Sequence, residues 1–182
     1  MESLKYTALD IAGWFIDFNM KFVATEEAEL ISPMKLQKLL YYAQGAFLAI
    51  DGTALFDDEI EVWEHGPVVP SVYQAYKKYG AGGIAKNDTG THASFDEHTS
   101  AMLYGVFEKY GKYSASQLRN MTHIEQPYIQ ASNDNSGNII RKESIKEYFA
   151  STVYQKWLND TLFDDIPVEE ESAHLPKLIL SA

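Results

Sequence analysis

Residues 32–52, SPMKLQKLLYYAQGAFLAIDG, leave the backbone little choice but a helix. Ser32 followed by Pro33 reads as N-cap and first helical residue, because the N–H that proline lacks would have no intrahelical partner there. Leu36, Leu39, Leu40, Ala43 and Phe47 recur at steps of three and four, the spacing of one apolar helical face. Asp51-Gly52 is the stop. The opposite face carries Lys35, Gln37, Lys38, Tyr41 and Gln44, and two readings of it are open. It is an ordinary solvated face, the reading expected first, or a binding face on which tyrosine supplies contact area at low entropy cost.

Other segments supply covering helices. Leu4, Ala8, Ile11, Ala12, Phe15, Phe18 and Phe22 form a second apolar stripe, with Thr7 as N-cap. Asp58–Trp63 alternates charged and apolar residues and predicts a short half-exposed strand. After a Gly66-Pro67 turn, Pro70 to Tyr79 reads as a short helix stopped by Gly80. Residues 81–93 read as a mobile loop. Ser94 with Glu97, and Ser114 with Gln117, form capping-box pairs, the first ahead of a helix ended by Gly111, the second of one running to Met121. Residues 133–138 suggest a turn or hairpin tip, and 139–151 lead into a last helix with Tyr154, Trp157 and Leu158. The fold class expected is mostly α, a single-domain helical bundle with a small β element around 58–63. Residues 1–163 form the domain, and 164–182, acidic and then apolar, form a tail with three readings: packed onto the domain, the one expected first, disordered, or inserting Leu178–Ile179–Leu180 into a partner.

A chain of 182 residues with 46% hydrophobic and 13% aromatic residues is globular in composition. It has no run long enough for a transmembrane helix and starts without a secretory signal, so no membrane is expected and the cytoplasm is the expected compartment. Zero cysteines exclude disulfides, thiolate metal sites and cysteine nucleophiles. A net charge of −11 makes nucleic acid an unlikely partner, since binding that polyanion needs Lys and Arg. The acidic surface fits solubility, or pairing with a basic protein.

Catalytic readings fail on context. GAGGIA (80–85) superficially matches a dinucleotide fingerprint, but a helix precedes it where a strand is required. THIEQPY (122–128) contains the H-x-E of zinc deaminases without the cysteines they need. His65, His123 and carboxylates would have to converge to hold a metal, and no metal or cofactor is expected. The structural readings are simple: His123 and Glu125 satisfy backbone groups where a helix ends, and His65 bonds the backbone of its own turn.

Four segments in order, MKLQKLLYYAQGAFLAIDG (34–52), FDDEIEVWEHGPVVPSVYQAYKKYG (56–80), LRNMTHIEQPY (118–128) and IIRKESIKEYF (139–149), resemble the Panacea domain, a family of SocA-like and phage-associated GepA-like proteins. The resemblance covers roughly residues 7–150. It departs at residue 128, Tyr where the family commonly has Trp. It implies a mostly α-helical domain of bacteria, prophages and plasmids, with no catalytic activity. Such proteins resemble antitoxins that neutralise a toxin, encoded by the adjacent gene, through direct binding. One branch is similar to a proteolytic adaptor that delivers its toxin to a ClpXP-type protease, which makes a protease or chaperone the alternative partner.

The motif positions carried over are Lys35, Leu36, Gln37, Lys38, Leu39, Tyr41 and Tyr42; Trp63, His65, Gly66, Pro67, Val68, Pro70 and Tyr73; and Thr122, His123, Glu125 and Pro127. They are candidate partner-binding or structural residues, none catalytic and none metal-ligating. We expect the three polar motifs to converge at one end of the bundle, tying the turn at 65–67 to the loop at 122–127. A hydrolase using His65, His123 and Glu125 is the less favoured alternative. Oligomeric state is left open by the sequence.

Overall fold

The structure is a computed structural model that describes residues 6–25, 28–90, 93–134 and 137–151. Its helices are α1 (Ala8–Val23), α2 (Pro33–Ile50), α3 (Pro70–Tyr76, continued by a 3-10 turn Lys77–Tyr79), α4 (Glu97–Tyr110), α5 (Ala115–His123), α6 (Gln126–Asn133) and α7 (Lys142–Phe149). Two short strands, β1 (Glu61–Trp63) and β2 (Gly66–Val68), pair antiparallel with Trp63 opposite Gly66. The fold is mostly α with a small β element, as the sequence predicts.

Local chemistry accounts for most boundaries. Thr7 caps α1 in a full capping box with Asp10, Ser32 and Pro33 open α2, and Ser114 with Gln117 boxes α5. At α4 the expected pair is wrong. The cap is Asp96, whose side chain accepts from the Thr99 N–H at 2.7 Å, because a carboxylate next to the first turn also favours the helix dipole. Helix α6 was not anticipated. Pro127 sits in its first turn, where a missing N–H costs nothing, so this proline starts a helix rather than a loop.

The Gly66-Pro67 pair also differs from expectation: it lies inside β2, and residues 64–65 make the turn. On β1's other side, Glu61 bridges Ile139, and the Val62 N–H donates to the Asn138 carbonyl. Residues 138–140 therefore extend the hairpin. The loop after α3 is anchored through the Ile84 N–H to the Ile31 carbonyl at 2.8 Å and through Tyr79 to Asp88. The last helix expected at 154–158 and the tail 164–182 lie outside the described residues.

α2 is the axis of the bundle, packed on α1, α3, α4, α5, α7 and β2. α7 comes so close that a Cβ on Gly45 would lie 2.6 Å from the Phe149 ring, so only a glycine fits there. Tyr42 stacks on Tyr110 of α4 with ring centroids 3.7 Å apart, and Phe149 meets both Tyr41 and Tyr42 edge-on. Large aromatic side chains buried on several sides of one helix supply the main apolar driving force of this core.

Candidate functional site

Surrounded in this way, α2 has no solvated face. Gln37, Lys38, Tyr41 and Gln44 are 4%, 1%, 0% and 0% exposed, which corrects the reading of that face as water-facing. Buried polar groups need partners, and these find them largely in irregular backbone. Gln44 Oε1 accepts from the Leu55 N–H at 2.9 Å, and its Nε2 donates to the Phe56 carbonyl at 2.9 Å. Gln37 Oε1 accepts from the Val69 N–H at 2.7 Å, and its Nε2 lies 3.4 Å from the Val69 carbonyl. Each amide offers one donor and one acceptor, as a strand edge would, to backbone that has no strand beside it.

Lys38 donates to the Pro67 carbonyl at 3.0 Å. The hairpin can approach it only because residue 66 is glycine. Gly66 is buried at φ +100, and a Cβ there would lie 2.7 Å from Lys38 Cε and 2.9 Å from Thr122 Oγ1. Thr122 in turn donates to the Arg119 carbonyl at 2.9 Å. His123 Nδ1 lies 2.7 Å from the Arg119 carbonyl and its Nε2 3.1 Å from the Glu64 carbonyl, so whichever nitrogen carries the proton donates to main chain. Tyr128 donates to the Trp63 carbonyl at 2.8 Å. The three motifs therefore meet, with the end of α5 and the start of α6 tied to the β1–β2 turn.

Two of the expected contacts are differently made. His65 is exposed, and among the described contacts the backbone of its turn is held by His123. Lys35 sits apart from the hairpin and donates to the Gly111 carbonyl, closing the end of α4. Pro70 opens α3, Pro127 is buried at the start of α6, and Tyr73 meets the Trp63 ring edge-on at 4.7 Å.

Glu125 meets the same face of α2 one turn beyond Lys38 and is 7% exposed. Its Oε1 accepts from the Tyr42 hydroxyl at 2.8 Å. Its Oε2 and the Tyr41 hydroxyl are both buried without a hydrogen bond of normal geometry among the described residues. Burial pushes the Glu125 carboxyl up to about 7, against the opposing pull of the Tyr42 and Tyr41 hydroxyls and Lys109. Burial likewise raises the Tyr41 and Tyr42 hydroxyls, and the Glu125 charge adds to it. Lys38 moves the other way, down to about 7, chiefly by burial and then by Arg119.

Both His123 nitrogens face carbonyls, Glu125 is enclosed by tyrosines, and His65 belongs to the surface. Among the described residues no group of three or more His, Asp or Glu side chains is placed to hold a metal ion. What the region offers outward is an open, mostly apolar groove of about 320 Å³ whose lining combines Pro33, Met34, Trp63, Val68, Tyr73 and Gly80 with the polar Gln37, Lys38, Glu64 and His65. Ile124, at the α5–α6 junction, is 78% exposed.

The model of the family "Antitoxin SocA-like, Panacea domain" matches residues 36–129, from the first turn of α2 into α6. The chain is a member of the Panacea-domain family. Antitoxin SocA of Caulobacter vibrioides (strain NA1000 / CB15N) is 36% identical over 103 residues, covering 51% of this chain and 55% of that protein. The chain thus spans about half the length of the curated relative it matches. No solved structure matches it. Within the Panacea segment lie both glutamine clasps, the Lys38–Gly66 contact, the Tyr42–Glu125 bond and most of the groove.

Sequence reasoning did not single out Gln44, Tyr110 or Lys109 as members of this network. For Gln44 a signal exists. Gln37, Tyr41 and Gln44 stand four and three residues apart, so they share one line along the helix, and a line of neutral hydrogen-bonding groups with no acid on it suits backbone better than water. Tyr110 and Lys109 come from α4, and nothing local ties them to Glu125 some fifteen residues further along.

Proposed function

We propose that this Panacea-domain chain is an antitoxin that neutralises a protein toxin by direct binding. The observation that carries this reading is membership of the antitoxin SocA-like family, joined to 36% identity with a protein named as an antitoxin. The geometry supports a binding role. The polar motif residues are taken up in the fold, while Trp63, Glu64, His65, Tyr73 and Ile124 remain at least partly open to a partner.

A net charge of −11 favours association with a basic toxin surface through long-range steering. The toxin is expected from the adjacent gene, in a bacterial or prophage setting, and the antitoxin acts without catalysis. No particular feature of the described residues favours a proteolytic adaptor over simple sequestration.

Growth rescue tests the proposal. The neighbouring gene product expressed alone should arrest growth, and co-expression of this chain should restore it, with the two proteins co-purifying. A neighbour harmless by itself, or rescue without co-purification, counts against neutralisation by binding.

A further inference from the structure

The groove beside the hairpin has an unusual feature for an apolar recess: a buried lysine amine in its lining. Lys38 borders it and is 1% exposed. An ammonium has three donors, and the hydrogen bond found for this one is to the Pro67 carbonyl. Arg119, close enough to depress Lys38, has a buried Nε without a hydrogen-bond partner. Among the described residues no carboxylate forms an ion pair with either side chain. Buried charges in proteins are ordinarily paired.

We propose that this groove docks an apolar segment of the toxin partner carrying one aspartate or glutamate side chain, whose carboxylate pairs with Lys38. The inference rests on the antitoxin reading and adds the chemistry that its partner presents. Pro33, Met34, Trp63, Val68 and Tyr73 receive the flanking apolar side chains. A recess of about 320 Å³ is at the small end of ligand pockets and stands open, so it suits side chains from a passing segment better than a small molecule enclosed on all sides. One acid is read, not a run of them. Glu64 on the border and the −11 charge of the whole chain repel a polyanion.

The test uses the full ¹⁵N-labelled chain and three capped tripeptides at pH 7: acetyl-Leu-Glu-Phe-amide and its Gln and Lys counterparts. We expect the Glu peptide to shift the Trp63 indole and Gly80 amide resonances with an affinity at least about tenfold above the Gln peptide, and the Lys peptide to leave them unmoved. In Lys38→Met the Glu and Gln peptides should become equal while the melting curve stays cooperative. If that variant does not fold, Lys38→Gln removes the charge and keeps an N–H, and should give the same equality.

Equal binding of Glu and Gln peptides by the wild-type chain overturns the proposal whatever the variants do. So does discrimination that survives in a folded variant, shifts that map away from the groove, or tighter binding of 4-phenylbutyrate than of the peptide, which would make this a small-molecule site. Growth rescue measured in parallel separates the two readings. Rescue without peptide discrimination removes only the docking chemistry, and discrimination without rescue removes the antitoxin role and leaves the groove.

Discussion

Two buried ionisable groups sit one turn apart on the same face of α2, and the protein treats them differently. Lys38 belongs to the helix and reaches out to backbone, the Pro67 carbonyl, beneath a glycine that exists to let it through. Glu125 belongs to the α5–α6 junction and reaches in to side chains, the Tyr42 hydroxyl with Tyr41 beside it. The first contact fixes where the hairpin lies on the helix. The second fixes where the α5–α6 corner lies. Each group is held near 7 by burial, one driven down and the other up, so the same desolvation penalises a cation at one place and an anion at the other.

The most severe way to break the comparison is at Gly66. Alanine there meets both a left-handed backbone and overlap with Lys38 and Thr122, and should cost about 4 kcal/mol in urea unfolding, strain and overpacking adding. This change has no counterpart at Glu125, where no glycine mediates the contact. A Gly66→Ala protein of near wild-type stability would mean that the hairpin does not rest on Lys38.

Opposite signs of pH dependence sharpen it next. Glu125 binds protons more tightly folded than unfolded, so stability should fall as pH rises from about 4.5 to about 7. Lys38 binds them less tightly folded, so stability should rise from about 7 towards 10.5, with Lys109, lowered to about 8 by burial first, acting in the same direction. Stability should therefore dip near neutrality, by about 3.5 kcal/mol at most on the acid limb and about 5 kcal/mol at most from Lys38 on the alkaline limb, on the scale of about 1.4 kcal/mol per pKa unit. Glu125→Gln should flatten the acid limb alone, and Lys38→Met should shrink the alkaline limb alone, leaving the share of Lys109. A single variant that flattens both limbs would show the two groups to be one coupled site.

The glutamine clasps are predicted to come after these. Gln44→Ala orphans the buried Leu55 N–H and Phe56 carbonyl and should cost about 2 kcal/mol by thermal or urea unfolding. His65→Ala, on the exposed turn, should change stability by less than about 0.5 kcal/mol, so any loss of growth rescue in that variant reports the partner and not the fold.

The α2 boundaries, the α1 and α5 caps and the presence of a small β element were all legible, because each is set by residues within one turn of the chain. The burial of α2's polar face was not. Periodicity counts apolar residues, and Gln37 and Gln44 become core only when backbone from 55–56 and 69 arrives to be bonded. The motif residues could be picked out together, but their split into internal and outward-facing members needed the fold. His123 and His65 look alike in sequence, and only one of them faces backbone carbonyls with both ring nitrogens. Helix α6 was missed because Pro127 was read as a loop residue, when a proline in a first helical turn is equally well placed.

The central claim, that polar residues of α2 act as strand edges for backbone lacking strand neighbours, has a direct readout in the Val69 amide. Val69 lies beyond the paired residues of β2, and its N–H goes to Gln37 Oε1 at 2.7 Å. Native-state hydrogen exchange should find this amide protected to nearly the global stability in the wild-type chain, with Gln37→Ala removing that protection while α2 amides keep theirs. Fast exchange at Val69 in the wild-type chain, or protection unchanged in Gln37→Ala, would contradict the account.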